Sequence, residues 1–231
     1  MIPGGPSVPL GFAGKSLDSY VLKDSTPTYR VYRPRATADD GAIYFGSNGT
    51  CRFDDPSQLY GVLYVAFSGR AAIAETLIRN NWQDGNAERA KFDKQFPGLA
   101  GQPYFLERDL HRKIAPLEIT TASGLKLCDF TGTGLLKAGA DATVCTGDYV
   151  TSQAWSRAIH EHPEQFDGIL YHSKYMNTDL SVALFDRSQA KASIVPVLRD
   201  ATVVGASSAF EQLVIALYGS TSTLLVLPDL P

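Results

Sequence analysis

Seven consecutive uncharged residues, Gly61-Val62-Leu63-Tyr64-Val65-Ala66-Phe67, run straight into Ser68 and a helical stretch, and this junction constrains the chain most. The run is too short for a buried helix, shows no polar alternation and is rich in β-formers, so it predicts a strand covered on both faces. Ser68 is a fitting N-cap for a helix over Gly69–Asn80. On that helix Ile73, Ala74, Leu77 and Ile78 share one face, and Glu75 sits at its edge. Before the strand, Gly46-Ser47-Asn48-Gly49 offers positions tolerant of positive φ and exposed backbone N–H groups. Arg52 follows in a turn. An arginine, a tyrosine and a glutamate are thereby gathered around a donor-rich loop, a combination suited to an anionic ligand.

The rest of the chain reads as strands with irregularly placed helices. Residues 1–28 are rich in Gly, Pro and Ser and are expected to form a loosely ordered arm. Tyr29–Pro34 is strand-like, with Arg30 and Tyr32 on one face and Val31 and Arg33 on the other. Read locally, it is an edge strand carrying solvated arginines; an inward Arg30 would need an anion. A short helix is expected over Asn86–Phe92, and strands over Pro103–Glu107, Leu117–Thr121 and Leu125–Phe130. Thr131–Gly139 reads as at least one helical turn. Ser152–His160 reads as a helix with Trp155 and Ile159 inward, closed off by Pro163. Strands Ile169–Ser173 and Ser181–Phe185 are expected to pair. Ser193–Leu198 is held to an edge by Pro196, and Ala201–Val204 adds a further strand. Ser207–Tyr218 is amphipathic, with Phe210, Leu213, Val214 and Leu217 on one face; core packing is favoured over a homodimer contact. With no regular βαβ alternation, the class is α+β, with mixed or antiparallel sheets.

Composition narrows the function. At 231 residues, 44% hydrophobic and 19% charged, the chain suits one soluble domain, 29–231, beyond the arm. A net charge of −3 offers no general attraction to nucleic acid or to an anionic membrane. The three cysteines, Cys51, Cys128 and Cys145, are widely spaced and suggest neither a disulfide framework nor zinc, so a reduced, cytoplasmic setting is expected. No signal peptide or membrane span is evident. His160 and His162 cannot share a helix face, which argues against a metal pair. His111 lies in a charged, solvated segment. His172 and Ser173 are strand neighbours pointing opposite ways, a poor basis for serine hydrolase chemistry. Dinucleotide-fold, Walker, zincin and nucleophile-elbow motifs are absent.

Five segments taken in order resemble the RES-domain family over roughly residues 29–186. They are Tyr29-Arg30-Val31; Phe45-Gly46-Ser47 with Cys51-Arg52-Phe53-Asp54; Leu63-Tyr64-Val65-Ala66 with Ala74-Glu75-Thr76; Phe166-Asp167-Gly168-Ile169-Leu170-Tyr171-His172-Ser173; and Ala183-Leu184-Phe185. The connection from Leu125 through Gly147-Asp148-Tyr149 is also similar. Thr50-Cys51 replaces the glycines usual there, and Phe53-Asp54 replaces Trp-Asn, while Arg52 is kept.

The resemblance implies an ADP-ribosyltransferase-like fold and a toxin of a toxin–antitoxin pair that degrades NAD+. The nicotinamide–ribose bond would be cleaved by phosphorolysis or hydrolysis, making the chain an NAD+ phosphorylase or NAD+ glycohydrolase. Mono-ADP-ribosylation of a protein, or a non-catalytic binding domain, are the alternatives. The implied catalytic residues are Arg52, Glu75 and Arg30, and the implied substrate-binding residues Tyr64, Ser173, Gly46 and Ser47. No metal is implied, and no cofactor beyond NAD+ as substrate with inorganic phosphate as a co-substrate. A helix-turn-helix antitoxin of the Xre type is the implied partner.

Overall fold

The computed structural model describes residues 5–37, 41–78, 87–99, 104–106, 109–197, 212, 215 and 225–227. A 3-10 turn at Phe12–Gly14 leads to β1 (Ser19–Leu22), β2 (Thr28–Tyr32) and β3 (Val62–Ala66). Helix α1 (Gly69–Ile73) continues as a π-helical turn over Ala74–Ile78. Then come α2 (Ala87–Gln95), β4 (Tyr104–Leu106), β5 (Lys113–Thr121) and β6 (Leu125–Phe130). Helices α3 (Gly132–Ala138), α4 (Thr143–Thr146) and α5 (Tyr149–His160) lead to β7 (Gly168–His172) and β8 (Leu180–Phe185). A 3-10 turn, Asp186–Ala190, precedes β9 (Ala192–Pro196), and β10 (Leu225–Leu227) pairs in parallel with β4.

The main sheet has eight strands in the order β1-β6-β7-β8-β3-β2-β5-β9. Only β6 and β7 pair in parallel within it, joined by the crossover that carries α3, α4 and α5. This is the expected α+β class with a mixed, mostly antiparallel sheet. Leu63 and Val65 of β3 pack in one apolar cluster with Leu117, Leu127, Leu170 and Val182. Val62 and Tyr64 face the opposite cluster, where Trp155 and Ile159 of α5 meet Phe130, Phe166 and Phe185. The uncharged run is therefore covered on both faces, as its composition requires. Gly168 opens β7 because a Cβ there would lie 2.3 Å from the carbonyl oxygen of Ala183 on β8.

Ser68 caps α1 by accepting from the Ala71 N–H at 3.1 Å, and Ile73, Ala74, Leu77 and Ile78 are all buried. Glu75 lies in the π turn, where the sequence periodicity predicts plain α-helix. Such one-turn widenings recur at functional sites.

Two expectations are corrected. The arm is not loose over its described part: β1 pairs with β6, Phe12 packs edge-on to Trp155 at 5.2 Å, and the Trp155 indole N–H donates to the Pro6 carbonyl at 2.6 Å. Side chains that dock singly leave no periodic signature, so Gly and Pro content misleads there. β2 is also not an edge strand, since it lies between β3 and β5; the edge positions belong to β1 and β9. β9 does contain Pro196 at its end, as the sequence suggested. β5 begins at Lys113, ahead of the expected Leu117. The expected strand Ala201–Val204 and all of Ser207–Tyr218 except Gln212 and Ile215 lie outside the described residues. So do Arg79, Asn80, Asn86, Pro103, Glu107 and Leu198, at the ends of other expected elements.

The sheet is split at one place. β2 pairs with β5 over five positions but with β3 at Tyr29↔Ala66 alone. Beyond that pair the two strands diverge, and the wedge between them is the start of the site.

Candidate active site

A cleft of about 190 Å3 opens along the wedge, walled by Arg30 and Val31 of β2 and by Tyr64 and Val65 of β3. Glu75 and Thr76 come from the π turn, and Arg52 from the loop before β3. Five tyrosines, 29, 64, 149, 171 and 175, contribute to the lining. Aromatic walls with a few charged groups suit a flat, polar ligand.

Glu75 is held by the loop after β7. Its Oε1 accepts from the Ser173 hydroxyl at 2.7 Å and from the Lys174 N–H at 2.8 Å. Oε2 makes no hydrogen bond among the described residues. The Ser173 hydroxyl also accepts from the Met176 N–H at 3.1 Å, and the Ser173 N–H donates to the Asp179 carbonyl at 2.9 Å. The Asp179 carboxylate takes the hydroxyl of Ser68, the cap of α1. Loop and helix are thus fastened together around the glutamate. Ser173 is 1% exposed and lies behind Glu75 instead of in the cleft wall, so its place differs from the ligand contact implied by the resemblance. Its hydroxyl orients the Glu75 carboxylate.

Arg52 is held on the opposite side. Its Nη1 donates to the Gly147 carbonyl at 3.0 Å and to the Ser152 hydroxyl at 3.1 Å, and the guanidinium lies 5.0 Å from the Tyr149 ring. The loop that carries it is tied down on all sides. Gln153 donates to the carbonyls of Gly49 and Cys51, and Ser156 to that of Phe53. Asp54 Oδ2 accepts from the N–H groups of Thr50 and Cys51, while Oδ1 accepts from the Tyr64 hydroxyl at 2.9 Å. That hydroxyl in turn accepts from the Phe53 N–H at 2.8 Å. Burial, reinforced by the Asp54 charge, pushes the Tyr64 phenol well above its ordinary value, so it stays a donor. Phe53 and Asp54, which stand where the family usually has Trp-Asn, are both buried parts of this frame.

Arg30 reaches the cleft from β2 with its Nη1 bonded to the Tyr44 carbonyl at 3.0 Å. Gly46 and Ser47 do not line the cleft; Gly46 instead makes an isolated bridge to Val62. Of the seven implied site residues, the structure brings Arg30, Arg52, Tyr64 and Glu75 into one cleft and puts Ser173 directly behind it. Tyr149 and Tyr171 went unassigned, although both stand in the segments that carry the resemblance. Lys174 is a third cation nearby: burial and the Arg52 charge lower its ammonium pKa, partly offset by Glu75. Burial pushes the Cys145 thiol up to about 12, so it supplies no nucleophile. Among the described residues there is no cluster of three His, Cys, Asp or Glu able to hold a metal. No helix among them is long and apolar enough to cross a membrane.

A split, mixed sheet, with one carboxylate and two arginines among the described residues lining a tyrosine-rich wedge, defines an α+β domain with a charged, aromatic-walled cleft. The RES domain family model matches residues 27–204, and the chain belongs to that family. No curated protein matches the sequence. Among solved structures, the chain is similar to one described as the M. tuberculosis MbcT-MbcA toxin-antitoxin complex. The identity is 14%, with 83% of this chain and 94% of that one covered and a TM-score of 0.47.

Proposed function

We propose that this chain binds NAD+ in the cleft and breaks its nicotinamide–ribose bond, transferring ADP-ribose to inorganic phosphate or to water, and so acts as an NAD+-depleting toxin. One observation carries the reading: Glu75 is fixed through Oε1 alone, with Oε2 left for a ligand, in a cleft that also holds Arg52. As neutral nicotinamide leaves, positive charge collects on the ribose ring, and a preset carboxylate stabilises it. No acid is needed for the leaving group, because the base departs from a cationic glycoside. The Arg52 donors not used by Gly147 and Ser152 fit phosphate oxygens, with Arg30 on the other wall.

Phosphate fits these charges better than water. It is ionised at neutral pH and needs no general base, only cations to receive it. Water would need a carboxylate to take its proton, and among the described residues Glu75 is the one carboxylate of the lining. A helix-turn-helix antitoxin is the proposed partner, seated at the rim where Tyr149 and Val150 are 39% and 79% exposed. A cytoplasmic setting, where NAD+ is plentiful, belongs to the same proposal.

Incubation with NAD+ with and without phosphate, followed by product masses, tests the proposal. Loss that requires phosphate and yields a phosphorylated ADP-ribose establishes a phosphorylase. Loss in both, yielding free ADP-ribose, makes the protein a glycohydrolase. No loss in either overturns NAD+ degradation and directs the next assay to labelled transfer onto protein.

A further inference from the structure

The floor of the cleft holds a polar group that the proposed chemistry leaves unused. Ser181 of β8 is 2% exposed and lines the cleft, yet its hydroxyl oxygen makes no hydrogen bond of ordinary geometry among the described residues. A buried hydroxyl left in that state costs stability unless a ligand or water satisfies it. Ser181 sits opposite Tyr171 of β7 and Ala66 of β3 in the sheet register. Tyr171 is itself 6% exposed, lines the cleft, and carries a second hydroxyl beside it. Burial, then the Glu75 charge, pushes the Tyr171 phenol well up, with a loose hydrogen-bonding contact to the Ser181 hydroxyl acting the other way, so it remains a neutral O–H. The floor thus presents two uncharged hydroxyls, each able to donate and accept, next to the carboxylate.

We propose that Ser181 and Tyr171 form a carboxamide subsite that receives the amide of the leaving base and selects it over the corresponding carboxylate. This rests on the NAD+ reading above, in which Glu75 sits at the ribose; the subsite adds that the base lies against Ser181 and Tyr171. An amide both donates and accepts, matching paired hydroxyls. A carboxylate only accepts, and would bring a second negative charge beside Glu75 in a buried place. A ribose hydroxyl has the same donor–acceptor chemistry, and the experiment separates the two.

The test compares NAD+ with its deamidated analogue, nicotinic acid adenine dinucleotide, as substrates of the full chain, and titrates free nicotinamide as a binding probe. Proteins used are the wild type, S181A and Y171F; the latter keeps the ring that packs on Phe53 at 4.8 Å. The expected result is a wild-type preference for NAD+ in kcat/KM. Losing one buried hydrogen bond to the amide lowers it by roughly 10-fold in S181A. Y171F also loses preference, nicotinamide binds more weakly to both variants, and melting temperatures stay near wild type. Equal loss on both substrates assigns the hydroxyls to the ribose and overturns the amide assignment. An unchanged preference with intact NAD+ turnover overturns the subsite and spares the NAD+ reading. Ser181-dependent binding of nicotinamide without NAD+ turnover upholds the subsite and overturns the degradative activity. Neither binding nor turnover overturns both.

Discussion

The two flanks of the cleft are built differently. On one side Glu75 stands on the π turn that continues α1, and the Ser68 cap and the apolar face follow from the neighbouring residues 68–78; a single loop then fixes its carboxylate. On the other, Arg52 stands in an irregular loop that takes its shape from α5, with Ser152 lying 100 positions along the chain. Each charged group commits part of itself to the protein and leaves part for a ligand. The helix side spends few long-range bonds and the loop side many. Where local structure already places a residue, one tether aims it; where it does not, the frame must be supplied from elsewhere.

The largest effect expected on this contrast is removal of the carboxylate charge. E75Q keeps the helix and lowers NAD+ consumption by roughly 10²–10³-fold, the usual cost of losing a preset charge-stabilising group; a folded E75Q with full activity overturns the site. R52A is next, and acts mainly through KM for NAD+ or phosphate. R52K recovers only part of it, because an ammonium lacks the guanidinium fork. S173A frees Glu75 from one of its two donors, and kcat is expected to fall about 10-fold. The KM for NAD+ should hold while kcat falls, a split that simple loosening of the fold would not produce.

The loop side should show its dependence on tertiary support in stability. Y64F leaves the Phe53 N–H unpaired and removes one donor to the buried Asp54, at a cost of about 1–3 kcal/mol, measurable by urea unfolding. The smallest effect concerns His160, stacked on Tyr60 at 3.9 Å behind this loop. Burial and then the Arg187 charge lower its pKa to about 4, against an ordinary value near 6.5. Between those values the unfolded chain binds the proton and the folded chain does not, so stability falls as pH drops from about 6.5 toward 4. H160N should flatten the melting-temperature profile in that window. An unchanged slope would assign the acid sensitivity to carboxylates.

The helix side was the more legible of the two. The N-cap at Ser68, the apolar face with Glu75 at its edge, the strand Leu125–Phe130 and the pairing of β7 with β8 all follow from period and composition. The mixed α+β class follows from the same patterns. The order of the arm is not legible in the sequence, because Phe12 and Trp155 find each other without any repeat to announce it. The interior place of β2 is not legible either, because two arginines in a short strand read as solvated until a split in the sheet gives one of them a cleft to border. Ser173 was found as a residue but not as a tether, since its burial depends on where the loop after β7 folds back.

By itself the sequence determined the strands that flank the cleft, which helical stretch carries the carboxylate, and which family the chain joins, because these depend on local periodicity and ordered motifs. Only the tertiary structure decided that β2 and β3 part after one pairing, that α5 braces the Arg52 loop, and that Ser181 and Tyr171 meet on the floor. Those features arise from contacts between residues far apart in the chain, whose geometry no local pattern encodes.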